Sequence, residues 1–177
     1  MYLMLNSERL YIRSMLAADW LDVKGLFEDF RQSPYHIYDA PLPESDEDVR
    51  LLTWRFAQSE LFFAVFEKNK PELIGYVCFR RQDSGAYDLG YCFKSAFQGR
   101  GYAAESCRTV MAALAERGIQ EFTAHTALAN APSCRLLERL GFKQAGTTQQ
   151  AFYRDGQGRP LAFEAGIFHL ASELTKN

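Results

Sequence analysis

The stretch Leu89-Gly90-Tyr91-Cys92-Phe93-Lys94-Ser95-Ala96-Phe97-Gln98-Gly99-Arg100-Gly101-Tyr102-Ala103-Ala104-Glu105 decides how this chain is read. It passes from a strand pattern through a glycine-bearing loop into an amphipathic helix. Amides at a helix N-terminus lack intrahelical acceptors and, with the helix dipole, favour an anion, while glycines let the backbone approach one closely. The stretch points to a phosphate or pyrophosphate site. The plainer alternative is that Gly99 and Gly101 only permit a sharp turn.

Spacing separates the phosphate motifs that compete for this loop. No Gly-Lys-Ser or Gly-Lys-Thr is present, so the cation and metal-binding hydroxyl of a nucleotide triphosphatase are missing. Gly99 to Ala104 fits the dinucleotide fingerprint G-x-G-x-x-G/A, but the acidic residue that should close the next strand is absent: that strand ends Thr126-Ala127-Leu128. A third pattern, Q/R-x-x-G-x-G/A, is met by Gln98-Gly99-Arg100-Gly101-Tyr102-Ala103.

Outward from the loop, the periodicity predicts an α/β chain. Arg9 to Arg13 alternates as a strand, and Ala17 to Arg31 has helical spacing at Trp20, Val23, Leu26, Phe27 and Phe30. Ser33 to Ser45 is a loop rich in proline and aromatic residues. Ser45 with Asp48 resembles a capping box opening a helix to Gln58. Leu61 to Glu67, Leu73 to Arg81 and Ala86 to Phe93 read as strands joined by short turns, hence an antiparallel meander. Tyr102 to Arg117 is an amphipathic helix. A strand over Glu121 to Leu128, a helix over Asn130 to Leu140, and strands over Phe142 to Phe152 and Leu161 to Ala171 complete the order. No repeat or linker divides residues 1–177, so a single domain is expected.

Here the chain resembles the GNAT superfamily of acyl-CoA-dependent N-acetyltransferases, on the loop motif and on the order of elements from Arg9 to Ala171. Gly101-Tyr102-Ala103-Ala104-Glu105 and Asn130-Ala131-Pro132-Ser133-Cys134-Arg135-Leu136-Leu137-Glu138-Arg139-Leu140-Gly141-Phe142 are similar to the ribosomal-protein N-terminal (alanine) acetyltransferase branch. The resemblance implies a mixed, mostly antiparallel sheet of about seven strands, helices on both faces, and a splay between the fourth and fifth strands. It implies acetyl-CoA as cosubstrate, with Phe93, Gln98, Gly99, Arg100, Gly101, Tyr102, Ala103 and Asn130 holding it.

The reaction so implied is direct attack of a primary amine, on a small molecule or peptide, within a ternary complex. A strand N–H at Cys92 or Phe93 would stabilise the oxyanion. Cys92 as a nucleophile has no flanking His or acid to activate it. An α-amine is roughly one-sixth neutral at pH 7 and a lysine-like amine about one part in 2,500, so the second needs a base far more. Asp88 stands where the branch often has a glutamate, and is the candidate base; the alternative is a solvent-facing strand residue. Ser133 is the candidate acid. Many members carry a tyrosine where this chain has Leu137, which leaves Ser133, Tyr153 or water. Asn130 and Ser133 also suit a helix N-cap and its third position. Tyr35, Tyr38, Trp54 and Tyr153 are the expected walls of the acceptor pocket. A non-catalytic acyl-CoA sensor on the same fold is the alternative function.

Composition narrows the partners. The 177 residues hold 20 basic and 22 acidic side chains, a net charge of -2, which gives no broadly basic surface for nucleic acid. Between Tyr91 and Lys143, however, seven bases face four acids, a balance of +3, and the remainder carries -5. An anionic cofactor fits the first region. Asp39, Glu44, Asp46, Glu47 and Asp48 suggest a cationic acceptor, against the plainer reading of charge complementing a helix N-terminus. The longest apolar run, Leu61 to Phe66, is far too short to span a membrane. Four separated cysteines and the scattered His36, His125 and His169 give no metal or redox motif. A cytoplasmic location is expected, no metal is expected, and a homodimer stays open.

Overall fold

A computed structural model of the chain describes residues 3–171, and the outermost residues of the expected domain lie outside them. The elements run β1 (Met4–Asn6), β2 (Leu10–Ser14), α1 (Trp20–Arg31), α2 (Asp46–Gln58), β3 (Phe62–Glu67), β4 (Leu73–Arg81), β5 (Tyr87–Phe93), α3 (Tyr102–Ala115), β6 (Glu121–Ala127), α4 (Ala131–Arg139), β7 (Lys143–Gln150) and β8 (Phe163–Ala171). The strands form one mixed sheet in the order β1-β2-β3-β4-β5-β6-β8-β7. This is the expected mixed α/β architecture, and its eight strands are close to the seven or so expected. The additional strand is β1, whose three residues are too few to show a period of two and are fixed by pairing with β2.

The β1–β2, β2–β3, β3–β4, β6–β8 and β7–β8 pairs are antiparallel, and β5–β6 is parallel. The β5–β6 ladder pairs Tyr87 with Phe122 and Asp88 with Thr123, although β5 runs on to Phe93 and β6 to Ala127. The paired register thus covers only the start of these two strands.

By packing, the chain divides into two compact units. The first comprises Met1–Ser33, Leu42–Phe79 and Gly90–Ala113, and the second Pro34–Pro41, Arg80–Leu89 and Leu114–Asn177. In the first, Val23, Leu26 and Phe27 of α1 and Val49 of α2 pack with Ala64, Phe66 and Leu73 from one face of the strands. Phe56 stacks on Phe62 at 3.8 Å between centroids. Alternation sends Leu10, Ile12, Phe63 and Val65 to the other face, where they are also buried. Burying a side chain such as Phe27 contributes about 2–3 kcal/mol, so these residues dominate the stability of the unit. In the second unit Phe122, Ala124, Leu137, Leu140, Phe142, Ala165 and Phe168 are among the buried residues.

Local signals explain the helix ends. Ser45 Oγ accepts from the Asp48 amide at 3.1 Å and donates to the Asp48 carboxylate at 2.6 Å, so Ser45 is the N-cap of α2, with Asp48 bonded to its hydroxyl rather than to its amide as a capping box would have it. The predicted first helix starts as a 3-10 turn, Ala17–Asp19. There the Asp19 carboxylate takes both guanidinium nitrogens of Arg13 at 2.7 Å and the Leu16 amide at 2.8 Å, which tightens the entry before α1. The aromatic loop after α1 contains a further 3-10 turn, His36–Tyr38.

Candidate active site

In the first unit, the phosphate-binding candidate is built between the end of β5 and the start of α3. A 3-10 turn, Ser95–Phe97, follows the strand. The Asp29 carboxylate of α1 pins that turn, accepting from the Ser95 amide at 2.7 Å and from Ser95 Oγ at 2.6 Å. Gln98 Nε2 donates to the Phe93 carbonyl at 2.9 Å, so this side chain braces the loop from inside. Gly99 and Gly101 take φ of +72° and +82°, a left-handed conformation that L side chains rarely adopt. A Cβ at Gly99 would meet nothing within 4 Å, so the backbone there borders open space.

The Gly101 carbonyl accepts from the Glu105 amide at 3.0 Å, which sets Gly101 at the helix boundary and leaves the first-turn amides, from Tyr102 to Ala104, without intrahelical acceptors. This arrangement of left-handed glycines and a helix N-terminus whose first amides have no intrahelical acceptor fits a pyrophosphate. Arg100 lies over the Phe97 ring at 5.6 Å. The Tyr102 side chain is buried and its hydroxyl donates to Glu67. Hydrogen bonds from Lys70 and Tyr102 hold Glu67 below the usual carboxylate range.

Arg9, which the motif did not reveal, organises the same loop. Its guanidinium donates to the Arg100 carbonyl at 3.0 Å and to the Glu105 carboxylate at 2.7 Å, and it lies over the Tyr102 ring at 4.6 Å. Ser7 Oγ and the Arg9 amide add bonds to Glu105 at 2.7 and 2.9 Å. Burial raises the Glu105 carboxyl, but these bonds and the Arg9 charge outweigh it and hold the group below the usual carboxylate range. Glu105 would otherwise place an unpaired negative charge in the first turn of the helix proposed to hold phosphate.

Farther back on β5, Gly75 of β4 lies under Cys92 and Phe93. A Cβ there would come 2.5 Å from the Cys92 carbonyl oxygen and 2.5 Å from the Phe93 ring, so only glycine permits this approach. The cysteines form no disulfide. Burial pushes the Cys107 and Cys134 thiols up, which suits neither to nucleophilic work.

In the second unit, Asp88 is not the solvent-facing residue of the plainer alternative. Its side chain is 15% exposed and its Oδ1 lies 2.8 Å from His125 Nδ1. Thr123 Oγ1 donates to the same oxygen at 3.1 Å, and the Arg80 guanidinium lies 3.6 Å from the other. At the start of α4, Asn130 Oδ1 accepts from the Ser133 amide at 3.3 Å, so Asn130 is the N-cap and Ser133 the third residue, with Ser133 half-buried. Leu137, at the position of the usual tyrosine, is 1% exposed and apolar.

Of the expected acceptor residues, Tyr38 packs edge-on against Phe163 at 5.1 Å and Tyr153 against His36 at 6.2 Å, with Phe152 at 5.8 Å from Phe163. Tyr35 adjoins this 3-10 turn as its N-cap. His36, Phe152 and Phe163 were not foreseen. Trp54 belongs to α2 in the first unit and is 51% exposed. The acidic stretch before and within α2 is partly committed to structure: Asp46 pairs with Lys24 at 2.5 Å, and Asp48 with Ser45. Among the described residues, no group of three or more His, Cys, Asp or Glu side chains is placed to hold a metal ion, and no helix is long and apolar enough to cross a membrane.

Comparison with known proteins places this geometry. Residues 9–143 match the acetyltransferase (GNAT) domain family. The chain is 26% identical over 148 residues to an uncharacterized N-acetyltransferase, YnaD, of Bacillus subtilis (strain 168), covering 80% of this chain and 84% of that one. The ribosomal L7/L12 α-N-protein acetyltransferase RimL, solved in complex with coenzyme A, superposes with a TM-score of 0.81 at 20% identity, covering 97% of this chain and 99% of that one. The ribosomal-protein-S5-alanine acetyltransferase of Vibrio fischeri superposes at 0.79 and 16% identity, covering 99% of this chain and all of that one. The loop between β5 and α3 falls within the matched residues, and the chain belongs to the GNAT family of acetyltransferases.

Proposed function

We propose that this protein transfers an acetyl group from acetyl-CoA to a primary amine of a small molecule or peptide, by direct attack in a ternary complex. The observation that carries this is the loop Gln98 to Ala103, with two left-handed glycines and the first amides of α3, which have no intrahelical acceptor. Acetyl-CoA supplies an activated acyl group on a thiol that leaves readily. Gly99, Arg100, Gly101 and the amides of Tyr102 and Ala103 bind its pyrophosphate, Gln98 braces the loop, and Arg100 adds charge. The strand amides at Cys92 and Phe93 offer a donor to the carbonyl oxygen as negative charge develops on it. Asn130 contributes its side-chain amide toward the pantetheine arm, and Ser133 hydroxyl supplies a proton to the leaving sulfur. Both units serve one acetyltransferase domain, since the family match runs through segments of each.

The acceptor is assigned to Tyr35, Tyr38 and Tyr153 of the second unit, and Trp54 of α2, in the first unit, is a separate acceptor-binding candidate. Proteins of similar fold include a ribosomal L7/L12 α-N-protein acetyltransferase and one that modifies the N-terminal serine of L7/L12, which makes a peptide α-amine the first acceptor class to test. Asp39, Glu44 and Glu47 keep a cationic acceptor in the second place. Four thiols without a disulfide suit the reducing cytoplasm.

The test is calorimetry with acetyl-CoA followed by a thiol-release screen over N-terminal peptides, polyamines, aminoglycosides and amino acids. Release above the hydrolytic background with one class supports the transferase. Binding of acetyl-CoA with no release on any class would replace it with an acyl-CoA sensor.

A further inference from the structure

The aspartate expected to accept the proton has one of its two oxygens engaged by two donors. Asp88 Oδ1 receives both Thr123 Oγ1 at 3.1 Å and His125 Nδ1 at 2.8 Å, while its other oxygen faces Arg80 at 3.6 Å. Both hydrogen bonds fall on one oxygen, so the carboxylate is oriented by Thr123 and held against the His125 ring. The sheet explains why the histidine is there. Asp88 pairs in register with Thr123, and a strand returns to the same face every second residue, so His125 is the next β6 side chain on that face beyond the end of the ladder.

A carboxylate can only accept, so the bond to Asp88 places the ring proton on Nδ1 and leaves the lone pair on Nε2. The His125 side chain is 29% exposed, and among the described residues its only polar partner is Asp88. The ring is therefore held in one tautomer by a fixed carboxylate, with the basic nitrogen turned away from it. A buried donor, Thr123, holds the carboxylate in turn.

We propose that His125 is the catalytic base of this chain and that Asp88 is the residue that positions it. The inference rests on the N-acetyl transfer reading above. As the amine nitrogen bonds to the acetyl carbon, the carbon–sulfur bond breaks, the sulfur leaves with the bonding pair and is protonated, and the proton shed by the nitrogen passes to His125 Nε2 and then to solvent. Asp88 stabilises the imidazolium without itself being protonated.

The test uses the full chain, acetyl-CoA, and two acceptors of different class: a hexapeptide amide with an N-terminal alanine, and spermidine. His125→Ala lowers kcat by about 10²-fold or more, the range of general base catalysis, with KM for acetyl-CoA within about twofold. His125→Asn keeps a donor toward Asp88 but has no basic nitrogen, so it stays as slow as His125→Ala, and added imidazole speeds His125→Ala but not the wild type. Asp88→Ala lowers kcat by about tenfold and moves the His125 nitrogen-15 signals away from the Nδ1–H tautomer. If His125→Asn turns over like the wild type, the ring only braces Asp88 and the inference is overturned while the transferase reading stands. If the wild type binds acetyl-CoA but releases no thiol with either acceptor or in the wider screen, the transferase reading falls and the inference with it. Should His125→Ala lose its thermal transition, His125→Asn carries the same decision.

Discussion

Arg9 and Glu105 stand 96 positions apart and meet through a guanidinium nitrogen and a carboxylate oxygen at 2.7 Å, with the same Arg9 holding the Arg100 carbonyl at 3.0 Å. One side chain thus neutralises the acid in the first turn of α3 and fixes the loop before it. Arg9→Ala is expected to raise KM for acetyl-CoA about tenfold, equivalent to about 1.4 kcal/mol, with a smaller change in kcat. Arg9→Lys restores little, because an ammonium cannot span the carboxylate and the carbonyl as a planar fork does. Equal falls in kcat and unchanged KM would remove Arg9 from cofactor binding.

The same pair sets a pH dependence. Glu105 titrates below an ordinary glutamate's 4.5 because its hydrogen bonds and the Arg9 charge outweigh burial, so its ionised form favours the folded state. That stabilisation is fully present above about pH 4.5 and is lost as pH falls through the depressed folded value. Glu105→Gln lacks it at every pH. The gap in melting temperature between the wild type and Glu105→Gln should therefore narrow from pH 7 to pH 3, and a gap that stays constant would show that the carboxylate contributes no linked stability.

What the sequence made legible, and what it did not, follows from range. The loop at Gln98 to Ala103, the Ser45 cap and the Asn130 cap depend on residues within a few positions of each other, so motif spacing exposes them. The Arg9–Glu105 and Asp88–His125 pairs depend on which strands neighbour which and in what register, and no local period carries that. His125 read as one of three scattered histidines until the pairing of Asp88 with Thr123 brought it to the carboxylate. β1 escaped notice for a related reason, since three residues acquire strand character only from the partner they pair with.

Gly75 makes the sharpest steric prediction. Its Cβ position is 2.5 Å from a backbone oxygen, that of Cys92, and from the Phe93 ring, so a methyl group there must displace β5 itself. Gly75→Ala should cost about 1–3 kcal/mol, as over-packing does, and lower the melting temperature by about 2–4 °C for each kcal/mol. Acetyl-CoA affinity should fall with it, because the strand that moves carries the proposed carbonyl donors. Unchanged stability would mean that β4 and β5 accommodate the methyl group elsewhere.

At Asn130 the capping and binding roles can be pulled apart. Its side-chain oxygen caps α4 through the Ser133 amide, and among the described residues its –NH2 group has no partner. Asn130→Ala removes both and should cost about 1 kcal/mol of stability. Asn130→Ser keeps an oxygen that can cap but has no amide donor, so it should recover the stability without recovering the affinity for acetyl-CoA. If Asn130→Ser binds acetyl-CoA like the wild type, the amide touches no part of the cofactor and Asn130 is a cap alone. Ser133→Ala leaves the cap intact, because the bond uses the backbone N–H, and so tests the hydroxyl by itself. A turnover profile for Ser133→Ala that matches the wild type across pH would remove Ser133 as the acid, and would leave Tyr153 or water to protonate the leaving sulfur, since the buried Leu137 cannot.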